Sequence, residues 1–324
     1  MKSVGVIGGS GYTGGELIRI ILRHPNLRLK YVYSSTKSGK KIEDAHYDLI
    51  GESNLKFTDS INDDVDLLFL CLGHGNSKKF LEKNVLNAQT KVIDLSHDFR
   101  LNEFSKFKDR IFNYGLPEFQ KSKLKKSNNI ANPGCFATSI QLAILPLAYS
   151  KLICDEIHVN SITGSTGAGV GLTSTSHFSQ RNNNLSWYKV FTHQHLSEIN
   201  QTLNFLNGNE VKINFIPIRG NFTRGIFSTA YTNFNDSIDK AFDLYSDYYK
   251  GDPFVKISKN EIFLKQVVNT NNCHIHLHKH EDKLLITSII DNLIKGASGQ
   301  AIQNTNLLMD WDESLGLKFK GSIF

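Results

Sequence analysis

The stretch KSVGVIGGSGYTGGELIRIIL, residues 2–22, constrains the fold more than any other. It joins a short apolar run, a glycine-rich turn and a segment that carries Leu17, Ile20 and Ile21 on one helical face. That order predicts strand, turn and helix, the context in which Gly9, Gly11 and Gly14 read as a G-x-G-x-x-G dinucleotide loop. Small residues let backbone N–H groups and a helix N-terminus approach a pyrophosphate. LKYVYSS (29–35) predicts the next strand. VDLLFLCL (65–72) is continuously apolar, as a parallel strand covered on both faces should be. A helix near 76–87 and a strand KVIDLS (91–96) extend the alternation. The first part of the chain is therefore expected to be α/β, a Rossmann-type doubly wound parallel sheet.

After Cys135 the pattern changes. DEIHVNSITGS, EVKINFIPI and GIFSTAYT alternate apolar and polar residues, and CHIHLHKHEDKLLITSII reads as two strands about a His-Glu-Asp-Lys turn. Helices are expected near 194–206 and 236–250. The second part reads as an α+β domain with a mixed or antiparallel sheet. GASGQAIQNTNLLMDW (296–311) predicts a glycine turn into a last helix that returns to the first domain. The expected division is a nucleotide-binding domain over 1–134 completed by a C-terminal helix within 297–324, and a catalytic and dimerisation domain over 135–296. The 324 residues suffice for two cores.

Composition narrows the function classes. No apolar stretch approaches the roughly 18 residues of a membrane span, and the N-terminus runs straight into the first strand, so a cytoplasmic protein without membrane partner is expected. The net charge of +6 comes from scattered lysines, which argues against nucleic acid and for small anionic ligands. Cys71, Cys135, Cys154 and Cys273 show no CxxC spacing, which suits a reducing compartment. His274, His276, His278 and His280 share one strand face, but without an acidic or thiolate partner they predict a solvated edge and no metal site.

A strand-end Asp or Glu would hold a free ribose 2′-hydroxyl. Here the second strand ends in Ser34, Ser35, Thr36 and Lys37, which favours a 2′-phosphate and hence NADP(H). CLGHGNS (71–77) follows a parallel strand, so Gly73 and His74 are expected to face the cofactor.

ANPGCFATSI (131–140) places Cys135 at the start of an apolar helix. The helix dipole there favours thiolate. A thiolate beside a nicotinamide suggests a covalent thioester or hemithioacetal that exchanges hydride. The same sulfur could be a small buried hydrophobe, and the other three cysteines sit in apolar or strand segments. His193 and His195 of HQH are candidate acid/base groups, with Glu198 able to orient one of them.

Together, GVIGGSGYTGGELIRI, DLSHDFR (94–100), YGLPE (114–118), NPGC (132–135), GSTGAG (164–169), YKVFTHQHLSEI (188–199), RGIF (224–227) and KGASGQAIQN (295–304) resemble the N-acetyl-γ-glutamyl-phosphate reductase family of arginine biosynthesis, in order and over nearly the whole chain. The resemblance implies a semialdehyde-dehydrogenase-like fold and reductive dephosphorylation of an acyl phosphate. Cys135 would attack the γ-carbonyl and expel inorganic phosphate, NADPH would supply hydride, and His195, with His193 second, would act as acid/base. By motif it implies cofactor contacts at Gly8, Ser10, Gly11, Tyr12, Thr13, Gly167, Gly296 and Gln300. Arg100, Tyr114, Glu118 and Arg224 fall on the substrate side. A homodimer or homotetramer is expected.

One stretch departs from the family pattern. Where the family commonly reads Pro-His-Leu, then Pro-Met before Arg-Gly-Ile, this chain has Pro217-Ile218-Arg219-Gly220-Asn221-Phe222-Thr223-Arg224. Arg219 can grip a carboxylate bidentately, which raises the alternative of an N-succinyl substrate. The rivals are an aspartate-semialdehyde dehydrogenase, whose cysteine is not preceded by Asn-Pro-Gly as here, a nucleotide-binding redox sensor without turnover, and a carrier-protein-linked lysine-pathway reductase. The last needs a basic docking face that the scattered lysines do not form.

Overall fold

The computed structural model describes residues 1–62 and 64–323; Asp63 and Phe324 lie outside the described residues. The chain divides into two compact units, Met1–Gly134 with Ala297–Lys318, and Cys135–Gly296 with Phe319–Phe324.

The first unit runs β1 (Lys2–Ile7), α1 (Tyr12–Leu22), β2 (Leu27–Tyr33), β3 (Phe57–Thr58), β4 (Leu67–Leu70), α2 (Asn76–Lys83), β5 (Lys91–Asp94), β6 (Lys106–Phe107), β7 (Arg110–Tyr114), α3 (Pro117–Lys125) and β8 (Asn129–Ala131). Its sheet has the order β3-β2-β1-β4-β5-β8-β7-β6 and is parallel except at the β6–β7 edge. All four residues of β4 are buried, which explains the unbroken apolar run. The strand order reverses between β1 and β4, so the loops after these two strands flank the crevice where such sheets take ligands.

The second unit holds α4 (Cys135–Tyr149), β9 (Ile157–Thr163), α5 (Phe178–Arg181), β10 (Ser186–Trp187), α6 (His195–Asn207), β11 (Ile213–Arg219), β12 (Ile226–Asn233), α7 (Ile238–Tyr248), β13 (Val255–Ser258), β14 (Cys273–His280) and β15 (Lys283–Ile290). Its sheet has the order β10-β11-β9-β12-β15-β14-β13. It is mixed, since β11–β9 and β13–β14 pair parallel. Residues 136–148 of α4 are all buried, and the helix packs on α6, α7 and the sheet. Pro146 lies inside this helix and has no N–H for the Leu142 carbonyl. The Tyr249 hydroxyl donates to that carbonyl at 2.5 Å, and Tyr245 donates to Ala143 at 2.6 Å. Tyr249 thus satisfies the carbonyl that the proline leaves without its helical donor, and Tyr245 adds a second bond from the α7 side.

α8 (Gly299–Leu308) belongs to the first unit and follows a π-helical turn, Ile294–Ser298. The expected last helix within 297–324 is therefore short. The tail beyond Lys318 clusters with the second unit, because Ser322 N donates to the Val268 carbonyl and Gly321 lies against Gln266.

Candidate active site

The glycine loop follows β1 and opens α1, as the motif requires. Gly8 takes φ +79°, and a Cβ there would stand 2.6 Å from the Cys71 carbonyl oxygen, so only glycine allows the turn. Gly8 N and Gly9 N both donate to Tyr33 O, which anchors the loop to the end of β2. Nothing lies within 4 Å of a Cβ built on Gly11, so the N-terminus of α1 opens on a cradle. Tyr12 is exposed there, and the Thr13 carbonyl accepts from Ser298 Oγ at 2.8 Å. His46, missed in the sequence, is buried and bonds the Gly9 carbonyl through Nε2 at 2.7 Å.

At the end of β2, Ser34 Oγ lies 3.0 Å from Ser10 Oγ and 3.4 Å from Thr36 Oγ1. Ser35 and Thr36 are exposed and Lys37 is half-buried, with no acidic residue in the segment. After β4, His74 stacks on His97 with ring centroids 4.5 Å apart, beside Gly73 and Gly75. Asp98 holds this loop by accepting from Gly75 N and Lys78 N, and it meets His97 Nδ1 at 3.1 Å. These residues fit a dinucleotide: a glycine cradle at a helix start, hydroxyls at the second strand end, and a glycine loop across the switch point.

Four residues expected at the ligands are buried in the first unit, each with hydrogen bonds inside it. Arg100 is buried and donates to Asn132 O at 2.8 Å and Leu95 O at 3.1 Å, so it shapes the chain leading into Cys135. Tyr114 is buried, and its carbonyl accepts from Gln120 Nε2. Glu118 is buried with Oε1 3.4 Å from Gln303 Nε2. Gln300 is fully buried and donates through Nε2 to Gly115 O at 3.0 Å. These bonds tie α8 to the YGLPE turn, and burial keeps all four side chains from solvent.

In the second unit, Cys135 is the first residue of α4, and its neighbour Phe136 is buried. His193 and His195 are both buried and their rings lie 4.6 Å apart, edge to face. Both rings meet Phe136 edge-on, at 5.4 and 6.2 Å. His195 opens α6, its N–H donates to His193 Nδ1 at 3.2 Å, and Glu198 Oε1 stands 3.9 Å from its Nε2. The structure thus gathers both histidines and Glu198 around the residue that follows the cysteine. A Cβ on Gly296 would stand 2.8 Å from Cys135 Cβ, so this glycine backs directly onto the sulfur-bearing residue.

Tyr188, which the sequence analysis assigned no role, completes the cluster. Its ring lies 5.8 Å from that of His193, and the Arg219 guanidinium sits over it at 4.8 Å. Burial, then the neighbouring Cys135 sulfur, push its hydroxyl up to about 12, against the pull of Arg219. Arg224, expected on the substrate side, donates to Asp291, with Nε to Oδ2 at 3.1 Å and Nη2 to Oδ1 at 3.2 Å. Gly167 lies in the Ser165–Ala168 turn, fastened by Thr166 N and Oγ1 to the Thr223 carbonyl.

Of the remaining cysteines, Cys273 is buried and Cys154 is exposed in a loop, unlike the packed position its sequence suggested. Burial raises the Cys71 thiol far above its ordinary range. Among the described residues no cluster of His, Cys, Asp or Glu could hold a metal ion, and His276 Nδ1 is engaged with the Ser258 carbonyl. Among them, too, no helix is long and apolar enough to cross a membrane.

The two units and their residues define a class. The family profile described as semialdehyde dehydrogenase, NAD binding domain, matches residues 3–127, and the one described as semialdehyde dehydrogenase, dimerisation domain, matches 135–292. Aspartate semialdehyde dehydrogenase II from Vibrio cholerae, solved with ASA, superposes with a TM-score of 0.74 over 96% of this chain and 98% of that one, at 15% identity, a likeness of fold alone. The chain is an oxidoreductase of this fold class that uses a nicotinamide cofactor. Within it, the chain belongs to the N-acetyl-γ-glutamyl-phosphate reductase family. It is 54% identical to the Flavobacterium johnsoniae member over 100% of both chains, and 55% identical to the Karelsulcia muelleri member over 99% of both.

Proposed function

We propose that the chain reduces N-acetyl-γ-glutamyl phosphate, the compound its relatives are named for, to N-acetylglutamate 5-semialdehyde with release of phosphate, as a step of arginine biosynthesis. The observation that carries this reading is the grouping of Cys135 at a helix start with His193 and His195, both packed on Phe136. Cys135 Sγ attacks the γ-carbonyl carbon, the carbon–oxygen bond to phosphate breaks, and a thioester forms. A bound reduced nicotinamide supplies the hydride that the thioester carbonyl needs. His195, turned by Glu198, gives a proton to the oxygen that becomes anionic. It then takes the proton back as the carbon–sulfur bond breaks and the aldehyde leaves.

Ser10, Ser34, Ser35, Thr36 and Lys37 support NADP(H) as the preferred cofactor, since hydroxyls and a cation suit a 2′-phosphate and no carboxylate opposes it. The cytoplasm, and a homodimer or homotetramer, accord with such a reaction and with a dimerisation-type second unit. The test is phosphate-dependent reduction of NADP⁺ with N-acetylglutamate semialdehyde. Wild type turns over; Cys135→Ser falls to background and His195→Asn loses about a hundredfold or more in kcat. Full activity in Cys135→Ser contradicts the reading.

A further inference from the structure

The glycine loop is followed by one glycine that its motif does not require. G-x-G-x-x-G is complete at Gly9, Gly11 and Gly14, yet Gly15 comes next. Gly15 lies inside α1, where glycine costs helix stability. A Cβ built there would stand 2.5 Å from Nδ1 and 2.7 Å from Cε1 of His46. The imidazole of a residue remote in sequence thus fills the space that any other side chain would need.

That imidazole is held by three neighbours. His46 is buried against Gly15, and its Nε2 lies 2.7 Å from the Gly9 carbonyl oxygen. A carbonyl oxygen only accepts, so Nε2 carries the proton and donates. The Phe57 ring on β3 stands 6.2 Å away between centroids. The turn that presents His46 is itself anchored by buried Ile42 and Leu49. Ile42 N donates to Leu55 O, His46 N to Ile42 O, and Leu49 N to His46 O.

The effect falls on the ligand side of the loop. A trans peptide is planar, with its C=O and N–H opposed. Turning the Gly9 carbonyl to the buried imidazole therefore turns the Ser10 N–H away from it. Among the described residues that N–H has no partner. A phosphate oxygen would then meet a donor rather than a repelling carbonyl. We propose that His46 is a positioning residue for the dinucleotide: by holding the Gly9 carbonyl it presents the Ser10 N–H to the pyrophosphate, and Gly15 lacks a side chain so that the ring can reach. This role rests on the nucleotide reading of the first unit and not on the acyl substrate.

The experiment measures Kd for NADPH by its fluorescence on binding to the full chain, beside KM and kcat in the phosphate-dependent reduction of NADP⁺. In His46→Ala, Kd for NADPH and KM for NADP⁺ rise about tenfold, while kcat and KM for the semialdehyde stay unchanged. His46→Gln, whose amide can donate to the same carbonyl, recovers most of the loss. Gly15→Ala favours the helix yet displaces the ring, so it also weakens binding about tenfold. In a His46→Ala background it adds nothing, because the space is then empty. An unchanged Kd in a folded His46→Ala or a folded Gly15→Ala, or additive losses in the double variant, overturns the proposal alone. A wild type that binds neither NADPH nor NADH overturns the nucleotide reading beneath it.

Discussion

At the scale of single residues, the site depends on side chains whose neighbours leave them little freedom. Gly296 is the sharpest case, with a would-be Cβ 2.8 Å from Cys135 Cβ. Gly296→Ala must shift the nucleophile, and displacements near 1 Å cost about a hundredfold in rate. We expect kcat to fall by that order in steady-state assays, with a loss of about 1–3 kcal/mol in stability from the overpacking. Asp94, fully buried at the end of β5, is a second case. Burial raises its carboxyl to about 6 from 3.8, opposed by bonds from Ser96 N and Oγ. A carboxyl that binds its proton more tightly when folded stabilises the fold fully below pH 4, and that contribution is lost as pH rises through about 6. Its full span is about 3 kcal/mol. Denaturant titrations at pH 4 and 7 should show wild type losing about that much relative to Asp94→Asn; parallel curves for the two proteins refute the assignment.

At the scale of elements, helix α4 carries the nucleophile on a rod that is buried over 136–148 yet interrupted by Pro146. The Tyr249 hydroxyl on the Leu142 carbonyl repairs the ladder. Tyr249→Phe strands a buried carbonyl and should destabilise the second unit by about 1–3 kcal/mol in chemical denaturation; an unchanged midpoint would remove that role. Much at this scale was legible in the sequence. Local grammar sufficed for β1, the glycine loop and α1, for buried β4, and for the β14–β15 pair, because each element's burial pattern is written in its own residues. α8 was harder. Gln300, Gln303, Asn304 and Asn306 are fully buried although their composition suits a surface, and only distant partners such as Gly115, Asn132 and Glu313 make them interior.

At the scale of the whole molecule, the two units divide the work: one carries a dinucleotide cradle, the other the sulfur and its imidazoles. Within each unit, long-range partners set where the motif residues stand. Motifs identify residues that matter without saying what they bond in the fold, and Arg100, Glu118 and Gln300 each make a hydrogen bond inside the first unit that no local pattern announces. Arg224 similarly answers to Asp291, a long-range ion pair with no local signal. Tyr188 was assigned no role because its placement under the Arg219 guanidinium joins two segments remote in sequence. The central claim is that Cys135 forms a thioester with the acyl group, and it can be tested without cofactor. Mixing the enzyme with the acyl phosphate alone and analysing its peptides by mass spectrometry should find the acyl-glutamyl group on Cys135, with one phosphate released per site. An unmodified Cys135 under those conditions, with the cofactor-supplemented enzyme fully active, would contradict the account.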